Sequence, residues 1–429
     1  MTSQRKPRTR RVKSVRSREA DRSYQGRPVI TVEWKGKKVD VIAGRFALKR
    51  KARLADRDGS FEEQLISAIS HPVATKRNRV EVIQLDPQVE MTRVTEIVAR
   101  ILEQHADIEW IEPITVSQGS SAPNDERFVE QWGLREIRFE QSLAHSTGNV
   151  NRVVLAILDT GIPMQTGMLS HPDLRGEQRF FTGPDFVGHD DEPADDHGHG
   201  THIAGIAAAT TNNGLGIAAP WQGPVYVIKV LDAQNRGSSE NFADGVLNAI
   251  EFARDRQAKL VVNYSGRIDG DQMFARDAVA DLLESNGILV AAAGNNFGFD
   301  VDFPAAYSVE FANVIAVGAI DKQRNRPEFA SRGSEITVVA PGVGILSTLP
   351  NYHVTLNNTE NHKSLKYDSL DGTSQAAAFV SSLAALVWTK FPQFTAQQVR
   401  ERISQTTSPL PGPPEDFGNG LINMEHALS

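Results

Sequence analysis

Val153-Val154-Leu155-Ala156-Ile157-Leu158 is an unbroken apolar run, and Asp159-Thr160-Gly161 follows it directly. Six apolar residues in succession, without the polar alternation of a half-solvated strand, read as a parallel strand covered on both faces. Further apolar runs at 225–230, 260–262, 288–292, 314–317 and 336–339 repeat the pattern, and helical stretches such as 242–256 and 275–284 alternate with them. Alternating strands and helices build βαβ units, so the expected fold class is α/β, a mostly parallel doubly wound sheet. Ligands of such sheets gather beyond the carboxyl ends of the strands. Asp159 stands at one of those ends.

Two later strings share a chemistry with Asp159-Thr160-Gly161: His199-Gly200-Thr201-His202-Ile203-Ala204-Gly205 and Gly372-Thr373-Ser374-Gln375-Ala376-Ala377-Ala378. A serine hydroxyl is a poor nucleophile near neutral pH and needs an imidazole to take its proton. The imidazole in turn needs a carboxylate to hold its tautomer and stabilise its cation. Each string sets one of these residue types beside glycine and threonine, at a strand end or a helix start. The chain order Asp, His, Ser separates this arrangement from hydrolases whose triads run in other orders. Thiol catalysis, disulfides and thiolate metal sites are excluded, because the 429 residues include no cysteine.

With their flanking residues these strings resemble the subtilisin-like serine proteases (subtilases), over roughly residues 122–429. The resemblance implies a serine endopeptidase with Asp159, His199 and Ser374 as its triad and His202 as a structural companion. Ala292-Ala293-Gly294-Asn295 matches the segment that supplies a side-chain oxyanion donor, Asn295. Asn263-Tyr264-Ser265-Gly266-Arg267 and Gly237-Ser238-Ser239 correspond to the two cleft edges that pair with extended substrate, so Ser265, Gly266, Arg267, Gly237 and Ser238 are expected substrate contacts. Arg267 replaces a glycine of the family pattern; it either lines the pocket and draws an acidic side chain or points into solvent. Gln375 and Ala378 also depart from the pattern, where relatives carry Met and Pro, without removing a reacting group.

No cofactor is required by this chemistry. Thr211-Asn212-Asn213-Gly214-Leu215-Gly216 resembles a shortened form of a loop that carries calcium in some relatives, which leaves a structural calcium open and the metal site unknown. Asp190, Asp191, Glu192, Asp195 and Asp196 read as a solvated acidic loop, and residues 351–371 as a long polar insertion over the cleft.

The N-terminal third differs. Residues 1–25 are basic and nearly devoid of apolar side chains, and are expected to be disordered. Residues 26–118 read as a small α+β domain: a hairpin from 29–32 and 39–42 about a turn at 35–38, helices near 61–69 and 92–102, and strands at 80–85 and 108–116. This order resembles the inhibitor-like propeptide of subtilases, which implies a domain acting in cis; the other reading is an unrelated partner-binding domain. Residues 119–123 form a linker and 124–429 the catalytic domain. Residues 1–120 carry 24 Lys and Arg against 16 Asp and Glu, a net of +8. The whole chain carries 46 and 53, leaving 22 and 37, a net of −15, for residues 121–429. The expected partner is a polypeptide substrate, with neither membrane nor nucleic acid. No apolar signal or spanning segment is seen, so a cytoplasmic location is expected. A catalytically silent scaffold with the N-terminal domain lodged in the cleft is the alternative.

Overall fold

The computed structural model describes residues 23–24, 27–34, 37–50, 80–84, 108–115 and 122–429, apart from 176–178 and 359–360. The chain divides into two compact units, Met1–Gly119 and Ser120–Ser429.

In the first unit, β1 (Ser23–Tyr24), β2 (Arg27–Trp34), β3 (Lys37–Arg50) and β4 (Val80–Gln84) pair in that order, with β5 (Ile108–Thr115) also against β3. All pairings are antiparallel. The β2–β3 register closes at Trp34↔Lys37, a tighter hairpin than the four-residue turn expected. Ser23 and Tyr24 were expected in the disordered tail; they pair instead with Pro28 and Arg27, along the otherwise free edge of β2. The rest of that tail and the helices expected at 61–69 and 92–102 lie outside the described residues.

The second unit is built on a seven-stranded sheet in the order β14-β13-β12-β11-β6-β10-β9. Its strands are β6 (Val153–Asp159), β9 (Phe180–Asp185), β10 (Val225–Lys229), β11 (Lys259–Tyr264), β12 (Ile288–Ala292), β13 (Val314–Ile320) and β14 (Val338–Pro341). Every pairing in it is parallel, as the apolar runs implied. Between β6 and β9 a short hairpin forms from β7 (Met164–Gln165) and β8 (Met168–Leu169). Strand β6 is an interior strand, between β11 and β10, and is buried along its whole length. Helices His199–Ala208 and Thr373–Lys390 pack against each other, and both are enclosed nearly all round. Small residues line both helices, Ala204, Ala207 and Ala208 on one and Ala376, Ala377 and Ala378 on the other, while Gly205 admits Ser347 and Thr348, where a Cβ would collide. Helix Ser239–Asp255 is amphipathic by contrast, burying Phe242, Val246 and Ala249 against the sheet; Ser238 caps it by accepting the Asn241 N–H at 3.0 Å.

Two features went unforeseen. Strand β9 contains Gly183-Pro184, a pair that lowers strand propensity and is tolerated because β9 is the sheet's edge. The polar insertion 351–371 is not all loop: β16 (Tyr367–Leu370) pairs antiparallel with β15 (Ile345–Thr348).

Candidate active site

Asp159 ends β6 and is fully buried. His199 opens its helix, and its Nδ1 donates to Asp159 Oδ1 at 2.7 Å. The carboxylate only accepts, so this bond keeps the proton on Nδ1 and leaves Nε2 as the basic nitrogen. Burial pushes the His199 pKa down, but the Asp159 charge and hydrogen bond outweigh it and hold the imidazole above its ordinary value. Oδ1 of Asp159 also accepts the Thr160 N–H at 2.8 Å, while Oδ2 is buried without a partner.

A second carboxylate locks this pair in place. Asp195 was expected in a solvated acidic loop; it is buried, whereas Asp190, Asp191, Glu192 and Asp196 are exposed. Its Oδ1 accepts from Thr160 Oγ1 (2.8 Å), Gly198 N (2.7 Å) and His197 N (3.1 Å); its Oδ2 accepts from Thr201 N (2.9 Å) and the Thr201 hydroxyl. Burial opposes the charge on Asp195, yet the Thr201, Gly198 and Thr160 donors win and hold its pKa below the usual carboxylate range. Thr160 Oγ1 in turn accepts the Gly200 N–H at 2.8 Å. Gly200 has to be glycine here, because a Cβ would collide with the Gly161 carbonyl. Lys229, buried and in register with Asp159 on the neighbouring strand, donates to Thr160 O (3.0 Å) and Asp196 Oδ1 (2.6 Å). His202 reaches Asp368 O at 3.2 Å with Nε2; burial, reinforced by His199, pushes its pKa down to about 3, so it stays neutral.

Ser374 is the second residue of helix Thr373–Lys390, where a backbone N–H has no acceptor within the helix. Its hydroxyl donates to Ser265 O at 3.0 Å, and no hydrogen bond joins it to His199. Asn295 accepts from Thr373 N (3.1 Å) and Thr373 Oγ1 (3.2 Å) through Oδ1, which leaves its exposed Nδ2 amide free to donate. A buried polar chain joins the helix that bears Ser374 to β11: Ser381 Oγ donates to Asn263 Oδ1 (2.8 Å), Asn263 Nδ2 to Ser265 Oγ (3.0 Å), and Ser265 Oγ to Ser374 O (3.2 Å). The bond between Asn263 and Ser381 gave no signal in sequence, since a polar residue inside an apolar run shows its partner only once the fold brings it near. Gln375 is buried with its Oε1 unpartnered, close beside Gly372.

A cleft of about 230 Å³ opens at Ser374 and is lined by Asn235, Ser265–Arg267, Ala292, Gly294–Asn296, Asp302 and Thr373. Arg267 stands at its edge, paired with Asp269 at 3.2 Å and donating to Asn296 Oδ1 at 3.4 Å. Ser238 is occupied as a helix cap, and the side of the cleft contributed by 235–238 is lined by Asn235. The insertion straps the segment before His199: Thr355 N and Leu356 N donate to Asp196 O and His197 O, and the Tyr352 hydroxyl to Asp195 O at 2.8 Å.

At the 211–216 loop, Asn212 N and Asn213 N cover Asp125, and Asn213 Nδ2 donates to Asp173 Oδ1 at 2.8 Å. Both carboxylates are therefore met by hydrogen-bond donors where calcium would need oxygen ligands, and this set does not fit that ion. Among the described residues, no group of three or more His, Cys, Asp or Glu is placed to hold a metal, and no helix is long and apolar enough to cross a membrane.

Residues 151–420 match the Subtilase family. A thermostable alkaline protease of Halalkalibacterium halodurans is 37% identical over 299 residues, covering 69% of this chain and 73% of its own. Subtilisin DY of Bacillus licheniformis is 35% identical over 298 residues, 69% of this chain and 97% of its own. Among solved structures, a protease from Pseudoalteromonas arctica superposes with a TM-score of 0.61 at 26% identity, covering 72% of this chain and 99% of its own. Parallel sheet, buried Asp–His pair, serine at a helix start and these likenesses agree: the chain belongs to the subtilase family and is a serine endopeptidase acting on polypeptides.

Proposed function

We propose that peptide hydrolysis proceeds through an Asp159–His199–Ser374 triad with an acyl-enzyme intermediate, and that the N-terminal unit inhibits it in cis. The observation that carries the first part is the buried 2.7 Å bond from His199 to Asp159, which presents Nε2 as a base beside the helix that bears Ser374. His199 and Ser374 keep 8% and 7% of their surface exposed, enough to meet a bound substrate. For attack, the Ser374 hydroxyl turns from Ser265 O toward His199 Nε2, which takes its proton as Oγ bonds to the scissile carbonyl carbon. The resulting oxyanion accepts from the free Asn295 amide and the Ser374 N–H, donors preorganised by Thr373 and the helix start. His199 then protonates the leaving amine. A water, deprotonated by the same nitrogen, attacks the acyl-enzyme; as the acyl C–O bond breaks, His199 returns that proton to Ser374 Oγ and the carboxylic product leaves. Asp159 stays ionised throughout and stabilises the imidazolium.

The cis inhibition rests on the propeptide-like order of the N-terminal unit, whose described strands form an antiparallel sheet. The test of the triad is labelling by a fluorophosphonate together with hydrolysis of peptides and casein. Wild-type protein labels at Ser374; Ser374→Ala is unlabelled and loses on the order of 10⁶-fold in turnover with its fold intact. Undiminished hydrolysis by the purified variant would sink the assignment.

A further inference from the structure

We infer that Asp302 makes this enzyme select lysine or arginine as the residue whose carbonyl is cut; the inference rests on the serine-peptidase reading above. The cleft that starts at Ser374 runs past Asn295, Gly294 and Asn296, whereas His199, which hands its proton to the leaving amine, is not among its lining residues. The cleft thus lies on the acyl side of the scissile bond, where the side chain next to the attacked carbonyl has to go.

Asp302 is held in this cleft by its backbone, whose N–H donates to Ala293 O at 2.9 Å. Its Oδ1 accepts from Asn296 Nδ2 at 2.8 Å, and its Oδ2 makes no hydrogen bond. Gly294 leaves the space for Oδ2, since a Cβ there would collide with that oxygen. Asp302 is half-buried, and no cation within the described residues forms an ion pair with it. The charges acting on it are Arg267, which bonds to Asp269 and Asn296 instead, and Asp269 at the exposed rim. Burial pushes the Asp302 pKa up, against the Asn296 bond and the Arg267 charge, which pull it down. A carboxylate that has lost water without gaining a cation gains from a cationic side chain entering the same space. An acidic carboxylate inside a serine peptidase's specificity pocket selects basic residues by this means. The same geometry turns Arg267 away from the role that its charge alone suggested, because its guanidinium is engaged at the rim by Asp269 and Asn296.

The test uses the full chain and fluorogenic peptides that differ only before the scissile bond: Arg, Lys, Gln, Met and Glu. For wild-type protein, kcat/KM for Arg and Lys is expected to exceed that for Gln and Met by about ten- to hundred-fold, a charge-assisted hydrogen bond's worth. Asp302→Asn brings the ratio close to one. The wild-type ratio falls as acid protonates Asp302, while that of the variant stays flat with pH. A general loss of packing would lower every peptide's rate together and leave the ratio in place. Arg267→Gln, which removes a competing positive charge, raises the ratio. A wild-type preference for Glu or Met, or a ratio unchanged by Asp302→Asn, overturns the inference. If Asp302→Asn fails to fold, the pH dependence of the wild-type ratio decides alone. Absent hydrolysis together with absent fluorophosphonate labelling would instead mark failure of the peptidase reading; binding of Arg against Gln peptides to Ser374→Ala then decides the pocket, equal affinities overturning it.

Discussion

The hydrogen bond from His199 Nδ1 to Asp159 sets both the tautomer of the base and its proton affinity. In the proposed triad hydrolysis needs neutral imidazole, so activity is expected to fall as pH drops through the His199 pKa, which stands above the ordinary histidine value. Asp159→Asn removes the charge that raises it. The acid limb of kcat/KM should therefore move to lower pH, while the plateau drops on the order of 10⁴-fold because an amide no longer enforces the tautomer. A pH–rate profile of the purified variant checks both, and a limb that stays where the wild type has it would show that Asp159 does not govern the base. The residues of this pair were legible in sequence because each sits in a dense local string of glycine, threonine and small residues. The roles of Asp195 and Lys229, and the bond between Asn263 and Ser381, were not. Asp195 sat among four other acids, all of them exposed, and its partner Thr160 lies 35 residues away.

The start of helix His199–Ala208 is held by one buried carboxylate rather than by the usual capping side chain, since its N-cap residue is Gly198. Asp195 receives N–H and O–H donors from both the Asp159 segment and the helix. Its folded pKa is depressed, so its stabilisation is present above the unfolded value near 4 and is lost as pH falls through the folded pKa. Asp195→Asn turns an NH₂ toward donors and should cost about 2–4 kcal/mol at pH 7, with a smaller loss at pH 3. Thermal melts at the two pH values measure this; an equal loss at both would remove the electrostatic account. Thr201→Val, which deletes one hydroxyl donor, should cost about 1 kcal/mol. Strands β6, β10, β11, β12 and β13 were readable as apolar runs because burial on both faces erases alternation. Strand β9 and the β15–β16 hairpin were hidden, as their residues are only partly apolar and their pairing partners are distant in sequence.

At the scale of the molecule, the units Met1–Gly119 and Ser120–Ser429 carry opposite net charge, since residues 1–120 hold 24 basic and 16 acidic side chains while the whole chain is acidic by seven. Opposite charge favours association and weakens with salt. For a cis inhibitor of a peptidase, the segment after its last strand is the nearest substrate. That strand, β5, ends at Thr115, and the small residues Gly119-Ser120-Ser121-Ala122 follow shortly after. Cleavage between Val116 and Asn124 would be intramolecular, with the reacting groups supplied at high effective concentration. Intact-mass spectrometry of purified wild-type protein is expected to show a nick in that window that Ser374→Ala lacks, and the two pieces should co-elute at low salt and separate as salt rises. Activity should then increase as the pieces part, because an inhibitor released from its tether pays the full entropic cost of rebinding. A chain that remains whole and fully active would overturn the inhibitory role and make the N-terminal unit a permanent accessory domain. A nick without any rise in activity on separation would place the cut correctly but deny that the unit blocks the cleft.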